Sequence, residues 1–142
     1  MKWGIRMNEE NKTNEKKKVF FIAVTDEQNS NNRKYSDFVY EICYHEINED
    51  SELKSLIDLE NFQRHDMKNA VNLKKSLYEA LEKSDAFIVL LDMYDDGYNP
   101  NVWFELGVIS TYQQPIILIA KEKTVIPFDI NDINICCGQA FL

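Results

Sequence analysis

Three continuously apolar runs divide the chain into alternating blocks of strand and helix. They are residues 19–24 (VFFIAV), 86–91 (AFIVLL) and 116–120 (IILIA). Runs of this length without polar alternation are typical of strands buried on both faces, as in a parallel sheet flanked by helices. The pattern therefore predicts an α/β domain with a mostly parallel sheet of four or five strands.

Apolar residues at helical spacing lie between these runs. One stripe extends from Tyr35 through Phe38 and Ile42 to Ile47, and another extends from Ala70 to Leu81. Residues recurring at three- and four-residue intervals share one face of a helix. Residues 55–62 are ambiguous and can hold a short second strand, while the tail from residue 124 can supply a last edge strand.

Pro100 marks the start of the next helix. Because proline is not tolerated inside a helix, the pattern predicts a start at about Asn101, a good N-cap residue. Glu105 then lies in the first turn. The residues expected to face the sheet are Val102, Leu106 and Ile109.

A neighbouring face of this helix carries Glu105, Val108 and Tyr112. Gly107 costs the helix about 1 kcal/mol relative to alanine. Its presence therefore predicts the close approach of another backbone or of a ligand.

The first 18 residues differ in composition from the rest of the chain. They carry six Lys or Arg and three Glu, a net charge of +3, which leaves −11 on residues 19–142 from a total of −8. The polar composition predicts a disordered basic arm over residues 1–17 and a folded domain over 18–142. The acidic domain argues against nucleic-acid binding, which requires clustered basic surface.

Neither membrane nor metal signals stand out. No apolar run approaches the roughly 18 residues of a membrane span, and the start lacks the apolar core of a secretion signal. Cys43, Cys136 and Cys137 form no metal-binding motif, and His45 and His65 stand apart. We expect reduced thiols in a cytoplasmic protein without a metal or cofactor.

Carboxylates follow the central predicted strand, where ligands bind open parallel sheets. Asp92 directly follows the strand, and Asp95 and Asp96 lie in the loop after it. Glu105 enters from the next helix, whose positive end stabilises its anion by roughly 0.3–1 kcal/mol. An ionised carboxylate beside a protonatable one is the minimal equipment for cleaving a glycosidic bond. Structural roles stay open, because Glu105 can simply favour the helix dipole and the loop carboxylates can be solvated turn residues.

Further binding residues are weaker candidates. Residues 30–34 (SNNRK) precede the Tyr35 helix, and helix-start amides with Ser30, Arg33 and Lys34 can hold a phosphate, although the glycines of a phosphate loop are absent. An ordinary solvated helix cap is the alternative. Phe21, Tyr98 and Trp103 can stack on a base, and Trp103 can equally pack against the sheet.

The segments SDAFIVLLD, NPNVWFELGVIS and QPIILIA resemble the nucleoside 2-deoxyribosyltransferase-like superfamily. The similarity is dense over about residues 77–120 and extends loosely back to VFFIAV. It implies a flavodoxin-like three-layer α/β sandwich over residues 18–142. It also implies an enzyme that acts on a small nucleoside or nucleotide and that assembles as a homo-oligomer, for which the Val108 and Tyr112 side of the helix is available.

The resemblance assigns roles to individual residues. Glu105 matches the nucleophile that captures C1 of the sugar, and Asp92 matches a carboxylate near the leaving base. Phe21 occupies the place of a ligand-contacting aromatic in the first strand. The remaining walls of the expected pocket are Tyr98, Asn99, Asn101 and Trp103.

Two departures accompany the resemblance. Many of these transferases carry an additional Asp on the helix before the central strand, where this chain has Leu77. The first strand also runs into TDEQNSNN instead of a glycine-rich exit. The chain resembles TIR domains in outline as well, but these usually place Trp four residues before the Glu, whereas Trp103 is two before Glu105.

Three functions remain as hypotheses. The first is cleavage or transfer at an N-glycosidic bond of a nucleoside, nucleotide or NAD-like molecule. The second is a non-catalytic sensor that binds a nucleotide and works through a partner. The third is a TIR-like effector that consumes NAD in antiviral defence.

Overall fold

The computed structural model describes residues 15–24, 30–61, 70–95, 97–121 and 134–137, and for residues 70–73 and 134–137 it describes the backbone alone. Most of the expected N-terminal arm, residues 25–29 and Asp96 lie outside the described residues. The first strand begins at Lys17, one residue before the expected start of the domain.

Strands and helices alternate along the described chain. In order, they are β1 (Lys17–Ile22), α1 (Ser30–Glu49), α2 (Ser51–Leu56), β2 (Ile57–Asn61), α3 (Ala70–Glu82), β3 (Ala86–Leu90), α4 (Pro100–Ile109), a 3-10 turn (Ser110–Tyr112), β4 (Ile116–Ala120) and β5 (Asn134–Cys137). The three apolar runs form β1, β3 and β4, as predicted. The ambiguous segment contains β2, and the tail supplies β5 at the edge of the sheet.

All five strands form one parallel sheet in the order β2-β1-β3-β4-β5. The central register pairs Phe20 with Phe87 and Ile88 with Ile117. This strand order is that of flavodoxin-like folds, in which the order reverses between β1 and β3. The expected flavodoxin-like α/β sandwich is confirmed.

Successive residues of the strands supply two separate cores, because strand side chains alternate between the faces of a sheet. One core packs against α3 and α4 and includes Phe20, Ile22, Phe87, Val89, Leu118, Leu81, Val102 and Leu106. The other packs against α1 and includes Val19, Phe21, Tyr35, Val39, Leu59 and Leu90. The sheet is thus the middle of three layers.

The apolar stripe on α1 is only partly buried. Tyr35 and Val39 face the sheet, whereas Phe38 and Ile42 are 41% and 47% exposed. The stripe is wider than the strip of helix that contacts the sheet. Sequence spacing therefore identified the helix correctly and overestimated how much of it is covered.

Asp85 connects the starts of β1 and β3. The Lys18 amide donates to the Asp85 carboxylate over 2.8 Å, and the Asp85 amide donates to the Lys18 carbonyl over 2.7 Å. This end of the sheet is opposite to Asp92. Asp85 therefore has a structural role between the strands.

The longest described helix, α1, has 20 residues. Neither it nor any other helix in the described ranges is long and apolar enough to cross a membrane.

The expected close approach of another backbone to Gly107 is wrong, whereas the approach of a ligand stays a prediction. A Cβ atom added there would meet nothing within 4 Å, and the residue is exposed. Gly107 therefore weakens α4 without a steric reason in the described structure.

We predict that Gly107→Ala stabilises the protein by about 0.5–1 kcal/mol, because alanine has the higher helix propensity and restricts the unfolded chain. Urea unfolding followed by circular dichroism measures the difference. A less stable variant would mean that the position contacts something when the protein is folded in solution.

Candidate functional site

The carboxyl ends of β1, β3 and β4 meet at one edge of the sheet, where the strand order reverses between β1 and β3. Ligands of open α/β sheets bind at such a reversal, because the connections leave the sheet in opposite directions and open a crevice. The residues that follow these strands therefore define the candidate site. They include Asp92 after β3 and Lys121 after β4.

Asp92 is held firmly at this edge. Its side chain is 3% exposed, and one carboxylate oxygen accepts a hydrogen bond from the Lys121 backbone amide. Its backbone forms an isolated antiparallel bridge with Tyr98, across the base of the β3–α4 loop. Asp92 thus joins the end of β3 to the end of β4 and fixes both ends of the loop.

Asn32, in the first turn of α1, binds the same β3–α4 loop. Helix α1 lies on the face of the sheet opposite to α4. Asn32 is 2% exposed, and its side-chain oxygen accepts from the Tyr94 backbone amide over 2.8 Å. Its side-chain nitrogen lies 3.7 Å from the sulfur of Met93. Within the loop, the Met93 amide donates to the Gly97 carbonyl over 3.0 Å.

The Lys121 side chain adds a third attachment. Its ammonium donates to the carbonyls of Met93 and Tyr94 over 2.9 and 3.0 Å. It also lies 5.4 Å from the centroid of the Tyr35 ring, within the range of a cation–π contact. The start of the β3–α4 loop is consequently fixed by side chains from α1 and from the end of β4.

The start of α4 differs from the expectation. The helix begins at Pro100, and Asn99 is the N-cap, whose side chain accepts from the amides of Asn101 and Val102 over 2.9 and 3.4 Å. Asn101, expected to be the cap, is the second helical residue. Proline suits the first helical position because its missing amide hydrogen would have had no partner there.

Glu105 consequently lies in the second turn of α4, and the expectation of a first-turn position is wrong. The helix dipole acts mainly within the first turn, so it does not supply the stabilisation expected for this anion. Burial instead raises the pKa of Glu105 from 4.5 to about 7. At neutral pH the free protein therefore holds comparable amounts of the acid and the carboxylate.

Glu105 lies beside the buried strip of α4 that Val102, Leu106 and Ile109 form. Residues at four-residue spacing share a helix flank, so Glu105 lies in line with Asn101. Burial and the nearby charges of Glu82 and Tyr78 on α3 raise the pKa of Tyr112, in the 3-10 turn that follows α4. Helix α4, and Glu105 with it, lies on the opposite face of the sheet from α1.

Trp103 lies on the other flank of α4. Being two residues before Glu105, it points about 160° away around the helix axis. Its ring meets that of Tyr98 edge-on, with centroids 5.7 Å apart. The structure thus pairs Tyr98 with Trp103 and aligns Asn101 with Glu105, as two separate groups on α4 and its preceding loop.

The remaining expected binding residues lie on or beneath α1. Phe21 is 4% exposed and packs edge-on against Tyr40, with ring centroids 5.5 Å apart. Ser30 is the first residue of α1 and is exposed. Arg33 is also exposed and lies 3.7 Å from the Asp37 carboxylate. Their roles in ligand binding stay predictions.

Sequence reasoning missed the two residues that hold the loop. Asn32 lies within the phosphate candidate of residues 30–34, and Lys121 belongs to none of the sequence motifs. A polar residue on the buried side of an amphipathic helix was the available signal for Asn32, since such residues need partners. No comparable signal marked Lys121, whose acceptors are backbone carbonyls.

Comparisons with known proteins do not extend the resemblance. No protein-family model matches the chain, and no curated protein matches it significantly. Among the described residues, no group of three or more His, Cys, Asp or Glu side chains is arranged to hold a metal ion.

We predict that Asn32→Ala destabilises the protein by about 1–3 kcal/mol, because it leaves the Tyr94 amide without its side-chain acceptor. Asp37→Ala, at an exposed position on the same helix, is the matched control and should change stability little. Chemical denaturation measures both. Equal effects of the two substitutions would contradict the importance of the loop contact.

We also predict that Glu105 makes the free energy of unfolding depend on pH. Its pKa in the folded protein is about 7, which exceeds the ordinary 4.5. The contribution of Glu105 to folding stability is therefore fully present below pH 4.5 and is lost as the pH rises through 7. Relative to Glu105→Gln, the wild type should lose about 1–3 kcal/mol between pH 5 and 8. Glu41→Gln, at an exposed position on α1, controls for the removal of one charge. Parallel stability profiles for wild type and Glu105→Gln would contradict the raised pKa.

Proposed function

We propose that this protein cleaves or transfers the N-glycosidic bond of a nucleoside, nucleotide or NAD-like molecule, with Glu105 as the nucleophile. The observation that carries the proposal is a desolvated carboxyl on α4, directly after a loop whose two ends are fixed at the sheet reversal. Perturbed carboxyl groups at such an edge are candidates for catalysis, although structural burial perturbs them too.

The proposed first step forms a bond from a Glu105 oxygen to the anomeric carbon and breaks the bond from that carbon to the base nitrogen. The bonding electron pair leaves with the base, and Asp92 is the proposed acid or base for the proton transfer that neutralises it. Water or a second base then attacks the same carbon and releases Glu105. Two displacements retain the configuration at the anomeric carbon.

The raised pKa of Glu105 supports this assignment in one respect and constrains it in another. A desolvated carboxylate is a stronger nucleophile than a hydrated one, because less solvent must be displaced before attack. However, only the ionised fraction can attack. The pKa of about 7 therefore makes nucleophilic activity increase across the neutral range.

The substrate class is proposed from the aromatic and polar residues near the loop. The edge-on pair of Tyr98 and Trp103 offers apolar surface to a base, with Tyr98 46% exposed. Ser30 and Arg33 at the start of α1 are the proposed contacts for a phosphate. We propose a cytoplasmic activity that needs neither a metal nor a redox cofactor, in keeping with the chemistry of two carboxylates.

One observation favours the sensor as a second candidate. Leu77, at the position where the resembling transferases carry an additional Asp, is half-buried and packs against the core beneath α4. An apolar residue there cannot orient Glu105 or a sugar hydroxyl by hydrogen bonding. A pocket of this kind would bind a nucleotide and return it intact.

We predict that wild-type protein releases free base or nicotinamide from one substrate class, and that Glu105→Gln lowers turnover at least about 10³-fold while retaining the fold. The assay is chromatography after incubation with NAD, deoxynucleosides and their 5′-monophosphates. Asp95→Asn, in the exposed part of the loop, is the matched control. Full activity in Glu105→Gln would exclude the mechanism.

The pH profile of kcat/KM in this assay distinguishes the role of Glu105. A nucleophile must be ionised, so activity should increase with pH through an apparent pKa near 7. Activity that decreases through the same pKa would assign Glu105 as the acid instead. Intact substrates throughout, with a thermal shift from one of them, would favour the sensor.

A further inference from the structure

The face of β3 and β4 that lies on the α1 side is incompletely covered. Leu90 on this face is fully buried, whereas Ile88 and Ile119 are only half-buried and Ile117 is 41% exposed. On the other face, Phe87, Val89 and Leu118 are fully buried beneath α3 and α4. The two faces of the same strands thus differ sharply in burial.

The orientation of α1 extends this apolar surface. Tyr40 on one flank donates to the carbonyl of Leu59 in β2 over 3.3 Å, so this flank faces the β2 edge. Tyr35 on the other flank contacts Lys121 at the end of β4. Phe38 and Ile42 lie on the Tyr35 side, because they are three and seven residues after it along the helix.

These residues lie on the same side of the sheet. Phe38 and Ile42 are 41% and 47% exposed on a flank of α1, and Ile117 and Ile119 lie on the partly covered strand face. We name this set of residues the α1–β4 surface and define it by Phe38, Ile42, Ile117 and Ile119. Exposed apolar side chains grouped on a helix flank and a sheet face are typical of an interaction site.

Charge along α1 indicates which partner this surface accepts. Lys34 and Glu49 are both exposed and lie within about 80° of Phe38 and Ile42 around the helix axis. The midpoint between Lys34 and Glu49 is about 2 Å along the axis from the midpoint of the apolar pair. Two α1 helices packed antiparallel over Phe38 and Ile42 would therefore place each Lys34 near the other Glu49.

We propose that the α1–β4 surface is the interface of a symmetric homodimer in which two α1 helices pack antiparallel. A two-fold axis requires a surface that is complementary to itself. The α1–β4 surface meets this requirement because its apolar centre lies between a cation, Lys34, and an anion, Glu49. His45 lies 3.9 Å from both Glu46 and Glu49, and Glu41 lies on the solvent side of the stripe. The end of α1 that bears Glu49 therefore carries more carboxylates than the Lys34 end carries cations.

The flank of α4 that the sequence suggested for assembly is occupied within the chain. Tyr112 lies against α3 and contacts Phe87, with ring centroids 6.3 Å apart. Val108 is half-buried on the same flank. The α1–β4 surface is the better candidate because its apolar side chains are the more exposed ones.

Sedimentation velocity of the full 142-residue chain over a concentration series tests the proposal. We expect a reversible dimer for the wild type and a monomer for Ile42→Glu at the same concentrations. Tyr44→Glu is the matched control, because Tyr44 is also 47% exposed but lies on the opposite flank of α1. It should leave the dimer intact.

Charge reversal tests the antiparallel arrangement without altering the apolar centre. Lys34→Glu and Glu49→Lys should each raise the dimer Kd about tenfold, and the double variant should return it to within about threefold of the wild type. Both positions are exposed, so folding is retained, which circular dichroism verifies.

Three outcomes overturn the proposal. They are a wild-type monomer at every concentration, equal effects of Ile42→Glu and Tyr44→Glu, and a double charge variant that is weaker than either single variant. Dimerisation is measured without substrate, so the result does not depend on whether Glu105 is catalytic.

Discussion

The right-handedness of the connections between parallel strands is the constraint on which the other features depend. The connection from β1 to β2 runs toward one edge of the sheet, whereas those from β2 to β3 and from β3 to β4 run toward the other edge. Because all of them are right-handed, α1 lies on one face of the sheet and α3 and α4 lie on the opposite face. This separation opens the crevice between β1 and β3. The same separation leaves α1 alone among the long described helices on its face.

The position of Glu105 follows from this arrangement. Helices α3 and α4 lie on one face of the sheet, and Glu105 is mostly buried on α4. Desolvation raises the pKa of Glu105 to about 7 and opposes ionisation, while the dipole of α4 acts too far away to compensate. The chemical role that we propose for Glu105 would account for a carboxyl kept at this cost in stability.

Much of the fold could be predicted because it depends on local patterns. The apolar runs identify β1, β3 and β4, and the buried positions Val102, Leu106 and Ile109 follow from helical spacing alone. Errors occurred where one or two residues of register mattered. Since the cap is Asn99 and not Asn101, the start of α4 moves and Glu105 falls in the second turn instead of the first.

The connections around the candidate site could not be predicted, because they join residues distant in sequence. Asn32 binds the Tyr94 amide across 62 positions, and Lys121 reaches the Met93 carbonyl across 28. Each contact satisfies a backbone group that no local pattern identifies. The burial of Phe38 was overestimated for the same reason, because whether a helix flank is covered depends on which elements lie beside it.

Helix α1 links the two regions for which we propose functions. Its first turn carries Asn32, which holds the β3–α4 loop, and its outer flank carries the apolar centre of the α1–β4 surface. Asn32 lies on the side of the helix that faces the sheet, whereas Ile42 lies toward solvent. Pairing two copies through the outer flank would therefore restrain α1 without covering Glu105, which lies on the opposite face of the sheet. Assembly and chemistry can thus share one helix because the sheet separates the surfaces they use.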